Sequence, residues 1–184
     1  MPILRYNLKI KVMSYLNIAT SFAQIKEGNV GIALREKGDC MVRALAAAAD
    51  VTYNVSHKFC EEVFGRKTNS GTDGLAVNIV MLKAEETGLE IDGKKYNVSI
   101  LGKKDICNRY KLHGNIVWRK KTLKSFIESH QKGSYIVFVA GHALTVKDGD
   151  LIDWNMMKYK PTRKVLNAYK IEKETNTGVQ LSLF

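Results

Sequence analysis

The sequence predicts an α+β domain in which a layer of helices comes first and a C-terminal antiparallel sheet packs on it. Three consecutive segments with apolar residues at helical spacing fill residues 40–87. Apart from a short run near the N-terminus, the strand-like alternation lies after residue 94. A length of 184 residues suits one hydrophobic core and would be cramped for two. Residues 1–184 are therefore read as one domain, with an extension over 1–30 and a central core over 38–155.

In chain order, RYNLKIKV (5–12) alternates at period two and reads as a strand, and Ser14 to Glu27 reads as a helix closed by Gly28. Behind Gly38-Asp39, the alanine-rich run CMVRALAAAA predicts a helix that starts at Cys40, with Val42, Leu45, Ala46 and Ala49 on one face. A second helix is expected from about Asn54 to Phe64, with Val55, Phe59 and Val63 inward, and a third from about Asp73 to Thr87, with Leu75, Ile79 and Leu82 inward. Gly65 and Gly88 stop them. Strand-like KYNVSIL and GNIVWRK follow, then a short helix from Thr122 to His130. The most regular stretch comes next, SYIVFVAGHALTVKDGDLIDW. Beyond about residue 165 the pattern leaves a short strand or a frayed tail open.

Cysteines 40, 60 and 107 form an odd, widely spaced set that fits neither a disulfide framework nor a zinc site, and a reducing cytoplasm suits it. No apolar run reaches the length of a membrane-spanning helix or resembles a signal peptide. No glycine-rich phosphate motif appears, so neither cofactor nor metal is expected. The net charge of +11 comes from the second half alone: residues 94–184 hold 18 Lys and Arg against 7 Asp and Glu, whereas residues 1–93 balance at 11 each. Clusters at Lys94-Lys95, Lys103-Lys104, Arg119 to Lys121 and Lys158 to Lys164 can face an acidic protein, a nucleic acid or solvent. Tyr96, Tyr110, Trp118 and Tyr159 are the aromatic residues available beside them for base stacking.

The start of a helix favours a thiolate, because its partial positive charge and unpaired N–H groups lower the pKa of a thiol there. Cys40 has that setting. His142 opens HALTV, and Asp148-Gly149 is a strong signal for a tight hairpin into LIDWN. A type I′ turn there sets His142 opposite Asn155 and Leu144 opposite Asp153, so both polar partners share the histidine's face. A carboxylate or amide beside an imidazole fixes its tautomer and orientation, the third role in a Cys-His-Asp or Cys-His-Asn arrangement. His57, His113 and His130 read as structural, the last at a helix end where a cation is favoured. Cys60 and Cys107 read as packing. Tyr135, Phe138, Trp118 and Trp154 read as core or cleft wall.

The segments GDCMVRALAAAADVTY and SFIESHQKGSYIVFVAGHALTVKDGDLIDW resemble the nucleophile and histidine segments of papain-like cysteine peptidases encoded by bacteriophages. The matching residues are Asp39-Cys40, Arg43-Ala44, Gly71-Thr72, Gly133-Ser134-Tyr135, Gly141-His142-Ala143 and Asp153. The resemblance implies a papain-like fold, Cys40 as nucleophile, His142 as general base and acid, and Asp153 as orienter. It further implies a protein or peptide substrate and action in a host bacterial cytoplasm. Such enzymes usually carry an oxyanion-binding Gln shortly before the nucleophile. None lies between Gln24 and Cys40, which leaves the Cys40 N–H as one oxyanion donor and Asn29 or a loop group as the other. Asn155, Asn29 and Asp39 are the residues expected to support the triad. The alternative is a catalytically weak or inactive papain-like frame used as a basic binding module for nucleic acid or an acidic host protein. Bacterial cell-wall amidases share the Cys-then-His order, but no second histidine follows His142.

Overall fold

Residues 36–153 and 160–175 are described by the computed structural model. The fold is a mixed α+β arrangement with three helices leading into an antiparallel sheet: α1 (Cys40–Ala49), α2 (Tyr53–Glu62) and α3 (Gly74–Thr87). Two short helices, α4 (Lys103–Ile106) and α5 (Leu123–Ser129), interrupt the strands. The strands are β1 (Leu89–Ile91), β2 (Lys94–Ile100), β3 (Cys107–Leu112), β4 (Asn115–Lys120), β5 (Ser134–Val139), β6 (His142–Lys147), β7 (Asp150–Ile152) and β8 (Asn167–Lys173). Six of them form one sheet in the order β1-β2-β8-β5-β6-β7, and β3 and β4 form a separate ribbon. The strand and helix expected before residue 30 lie outside the described residues. Among the described residues, no helix is long and apolar enough to cross a membrane.

Side-chain alternation in the sheet divides the interior in two. Ile136, Ala143, Tyr169 and Ile171 point to α1, α2 and α3. Val137, Val139, Leu144, Val146 and Ala168 point the other way, against Leu123, Phe126 and Ile127 of α5. The expected single helical layer is thus joined by a small second cluster on the opposite face. Apolar residues on both faces explain why β5 and β6 read as nearly continuous hydrophobic runs.

Three details differ from the sequence reading. Helix α1 is buried almost all round rather than on one face, because its alanines let α2 and the sheet approach from different sides. Just past the end of α2, Val63 is exposed and Phe64 is buried instead. In α3 the predicted inward residues Leu75, Ile79 and Leu82 are 65%, 59% and 58% exposed, while Val77, Met81 and Ala84 form the packed face. That helix carries apolar residues on both sides at the same spacing, so periodicity alone did not select a face. Contact with β1 and β2 did.

Strand β8, left undecided from sequence, is central: it pairs with β2 on one side and β5 on the other.

Candidate active site

Helix α1 lies along β6 and its neighbour β5, and three contacts set the alignment. Thr145 Oγ1 donates to Ala44 O at 2.7 Å, Ser134 Oγ donates to Ala48 O at 2.8 Å, and Lys147 Nζ reaches the carboxylate of Asp50. The ten residues of α1 rise about 15 Å. Five steps along β6 rise about 17 Å. Helix α1 and β6 therefore stay level along their length, and their first residues, Cys40 and His142, come together at one end.

The hairpin register follows the expectation. Thr145 pairs with Ile152 and Lys147 with Asp150, and Asp148 and Gly149 turn with φ of 50° and 80°, the double left-handed step of a type I′ turn. Asp153 follows directly after β7. His142 Nε2 donates to Asp153 Oδ2 at 2.8 Å, with 11% and 3% of the two side chains exposed. With Nε2 engaged, Nδ1 is the ring nitrogen left for the thiol. The other carboxylate oxygen, Asp153 Oδ1, is buried without a hydrogen-bond partner among the described residues.

The electrostatics of the pair agree with its geometry. Burial raises the pKa of Cys40, but hydrogen bonds from His142 and from the N–H groups of Ala143 and Met41, with the attraction of the imidazolium, outweigh it and leave the thiol below its ordinary value. Burial disfavours the charged form of His142, yet Asp153 and Cys40 raise its pKa to about 9. Both shifts run in the direction of a thiolate beside an imidazolium. Cys40 is only half-buried, so a reactant can reach it.

No known family, curated protein or solved structure matches this chain.

Asp39 does not touch the thiol. It is 2% exposed, accepts from Arg43 Nε and Tyr53 Oη at 2.8 Å each, and makes no side-chain cap on α1. Its side chain thus leaves the first-turn N–H groups uncapped, and the Met41 N–H bonds to the Cys40 sulfur. The spacing of Asp39 and Arg43 at i and i+4 was the sequence signal for this pair. A second network missed by sequence reasoning holds the segment before it. The Glu36 carboxylate takes Arg66 Nη2 at 2.5 Å and Asn69 N–H at 2.9 Å, while His57 Nε2 lies 3.2 Å from the other Glu36 oxygen and 3.1 Å from Arg66 Nη1. Glu36 and Arg66 are 30 residues apart, and no local pattern links them. Gly38 completes the clamp with φ of +67°, where an added Cβ would meet Gly71 N at 2.9 Å. This close approach brings the Gly71-Thr72 motif against the loop that carries the cysteine.

Asn29 and Asn155 lie outside the described residues, as do Trp154 and Tyr159. Cys60 is fully buried, and burial pushes its pKa up to about 12, in keeping with a packing role. His130 departs from the expected helix-end cation: burial lowers its pKa, and its ring stacks on Phe126 at 4.0 Å. Tyr96 is unavailable for stacking on bases, being 2% exposed and bonded to Ala49 O. Trp118 sits on the ribbon outside both core clusters. Lys121, grouped with the basic clusters from sequence, is buried and donates to Ser129 Oγ. A depression of about 420 Å³ lined by Ala49, Tyr96, Ser134 and Lys147 lies at the far end of α1 from Cys40. Among the described residues, no group of three or more His, Cys, Asp or Glu could hold a metal ion.

Proposed function

We propose that this chain is a papain-like cysteine hydrolase or acyl-transfer enzyme, most readily a peptidase, using Cys40, His142 and Asp153. One observation carries the reading. A single imidazole bridges a half-buried thiol at a helix start and a buried carboxylate 2.8 Å from its other nitrogen. Structural histidines need neither partner in that order, and a packing cysteine has no use for a lowered pKa.

In this scheme the Cys40 proton rests on His142, and the thiolate attacks the acyl carbon of a peptide or amide. The C–S bond forms as the carbonyl electrons move to oxygen, and the Cys40 N–H is one donor to that oxyanion. His142 returns a proton to the leaving nitrogen as the C–N bond breaks, giving a thioester and a free amine. Water then attacks the thioester after giving a proton to His142, and Cys40 leaves as thiolate. Were an amine to take the place of water, the same thioester would yield a transfer product. Asp153 holds the ring and stabilises its cation throughout.

The sequence resemblance to phage-encoded peptidases favours protein substrates inside an infected bacterial cell. The test is incubation of the full chain with a fluorescein-labelled protein mixture, together with intact-mass analysis of Cys40. Fragment release and acylation at Cys40, both lost in Cys40→Ala and His142→Ala, are expected. Absence of any Cys40-dependent acylation, amine release or ammonia release would end the enzyme reading.

A further inference from the structure

The β3–β4 ribbon stands apart from the six-stranded sheet and has its own chemistry. Its pairing is regular, from Cys107 opposite Lys120 to Leu112 opposite Asn115, and the tip turns through His113 and Gly114, both at positive φ. No Asp or Glu occurs between residues 106 and 127. Arg109, Lys111, Arg119 and Lys120 are exposed on the ribbon, with Lys103 and Lys104 at its base. Among the described residues, none of these six cations forms an ion pair.

Lysines on a free edge can simply prevent strand pairing. That explanation does not account for the large apolar side chains exposed among them: Tyr110 at 47%, Leu112 at 48% and Ile116 at 53%. A two-stranded ribbon is marginal on its own, and exposing such residues lowers its solubility without helping it fold. Cations and aromatic rings are also interleaved across the strands. On one face Arg109 stands opposite Trp118, whose ring carries Lys103 Nζ at 5.3 Å from its centre. On the other, Arg119 lies 5.8 Å from the centre of the Tyr110 ring. Each face thus offers positive charge for a phosphate next to an aromatic surface for a base.

We propose that the β3–β4 ribbon is a binding surface for single-stranded nucleic acid. An acidic peptide would use the cations and leave the rings idle, and a duplex would hide its bases from them. An unpaired strand uses both. The proposal uses neither Cys40 nor His142, so it does not rest on the enzymatic reading.

The test is fluorescence anisotropy of a labelled oligothymidylate with the full chain across a salt series. Four phosphate contacts predict a slope of log K against log salt of about −3. Arg109→Ala/Lys111→Ala/Arg119→Ala should bind at least about tenfold more weakly with a shallower slope. A control, Lys58→Ala/Lys67→Ala/Lys83→Ala, loses the same charge elsewhere and should keep the wild-type slope. Tyr110→Ala should lose about 5- to 150-fold, the range for removing one stacking base contact, and Tyr110→Phe should restore it. Equal losses in the ribbon and control triples would overturn the proposal. So would tighter binding of polyglutamate, of anionic phosphatidylserine vesicles or of the matching duplex than of the single strand. Circular dichroism of each variant separates loss of binding from loss of fold.

Discussion

Replacing Asp153 by Asn removes a negative charge 2.8 Å from the imidazole while keeping the side chain's size. His142 ordinarily titrates near 6.5 and is raised to about 9 here, although burial alone would lower it. That rise corresponds to about 3 kcal/mol in favour of the imidazolium. Asp153 and Cys40 share it, so loss of Asp153 should cost the cation about 1.5–3 kcal/mol, or between ten- and a hundredfold in the population of the ion pair. The assay is a pH titration of the histidine ring signals by nuclear magnetic resonance, with His142 identified by its absence in His142→Gln. Wild type should titrate near 9, and Asp153→Asn should titrate well below it. The sign for stability follows: a raised histidine stabilises the native state fully below about 6.5, and that contribution is lost as pH rises through about 9. Asp153→Asn should therefore flatten the decline in stability across that window. A wild-type midpoint near 6.5, or one unmoved by the substitution, would refute the role given to Asp153.

Gly38→Ala should destabilise by about 2–3 kcal/mol in urea unfolding and slow alkylation of Cys40, since it combines a left-handed backbone with a clash against Gly71. Gly65→Ala, with φ of +65° and nothing near its Cβ, should cost only about 1 kcal/mol. Glu36→Gln should destabilise by about 3 kcal/mol, because it leaves the buried Arg66 guanidinium without its carboxylate. Although burial opposes it, bonds from Arg66, Asn69 and His57 hold the pKa of Glu36 below its ordinary value. Its contribution is present above the usual carboxyl range and lost as pH falls through the lowered value, so the variant's acid unfolding should be less steep.

How much of this was legible in the sequence depended on whether local signals and tertiary contacts agreed. The start of α1 was readable from Gly38-Asp39 and the alanine run, and the β6–β7 hairpin from Asp148-Gly149. Together they supplied the positions of Cys40 and His142 and put Asp153 and Asn155 on the histidine's face; the family resemblance singled out Asp153. Strand β8 was not readable, because Lys170, Glu172 and Lys173 give it a polar look although Ala168, Tyr169 and Ile171 are buried between β2 and β5. Pairing on both sides, not hydrophobic pattern, makes it a strand. The face of α3 was misread because its apolar residues encircle the helix. The Glu36–Arg66–His57 clamp had no local signature, since residues distant in sequence meet only after α2 packs.

The most direct test is the rate of Cys40 alkylation by iodoacetamide from pH 4 to 9, followed by peptide mass mapping so that Cys60 and Cys107 are read separately. An ion pair predicts a thiolate that reacts well below the free-thiol pKa of about 8.5, with that low-pH reactivity lost in His142→Ala. Alkylation that rises only near pH 8.5, identical in both proteins, would contradict the account.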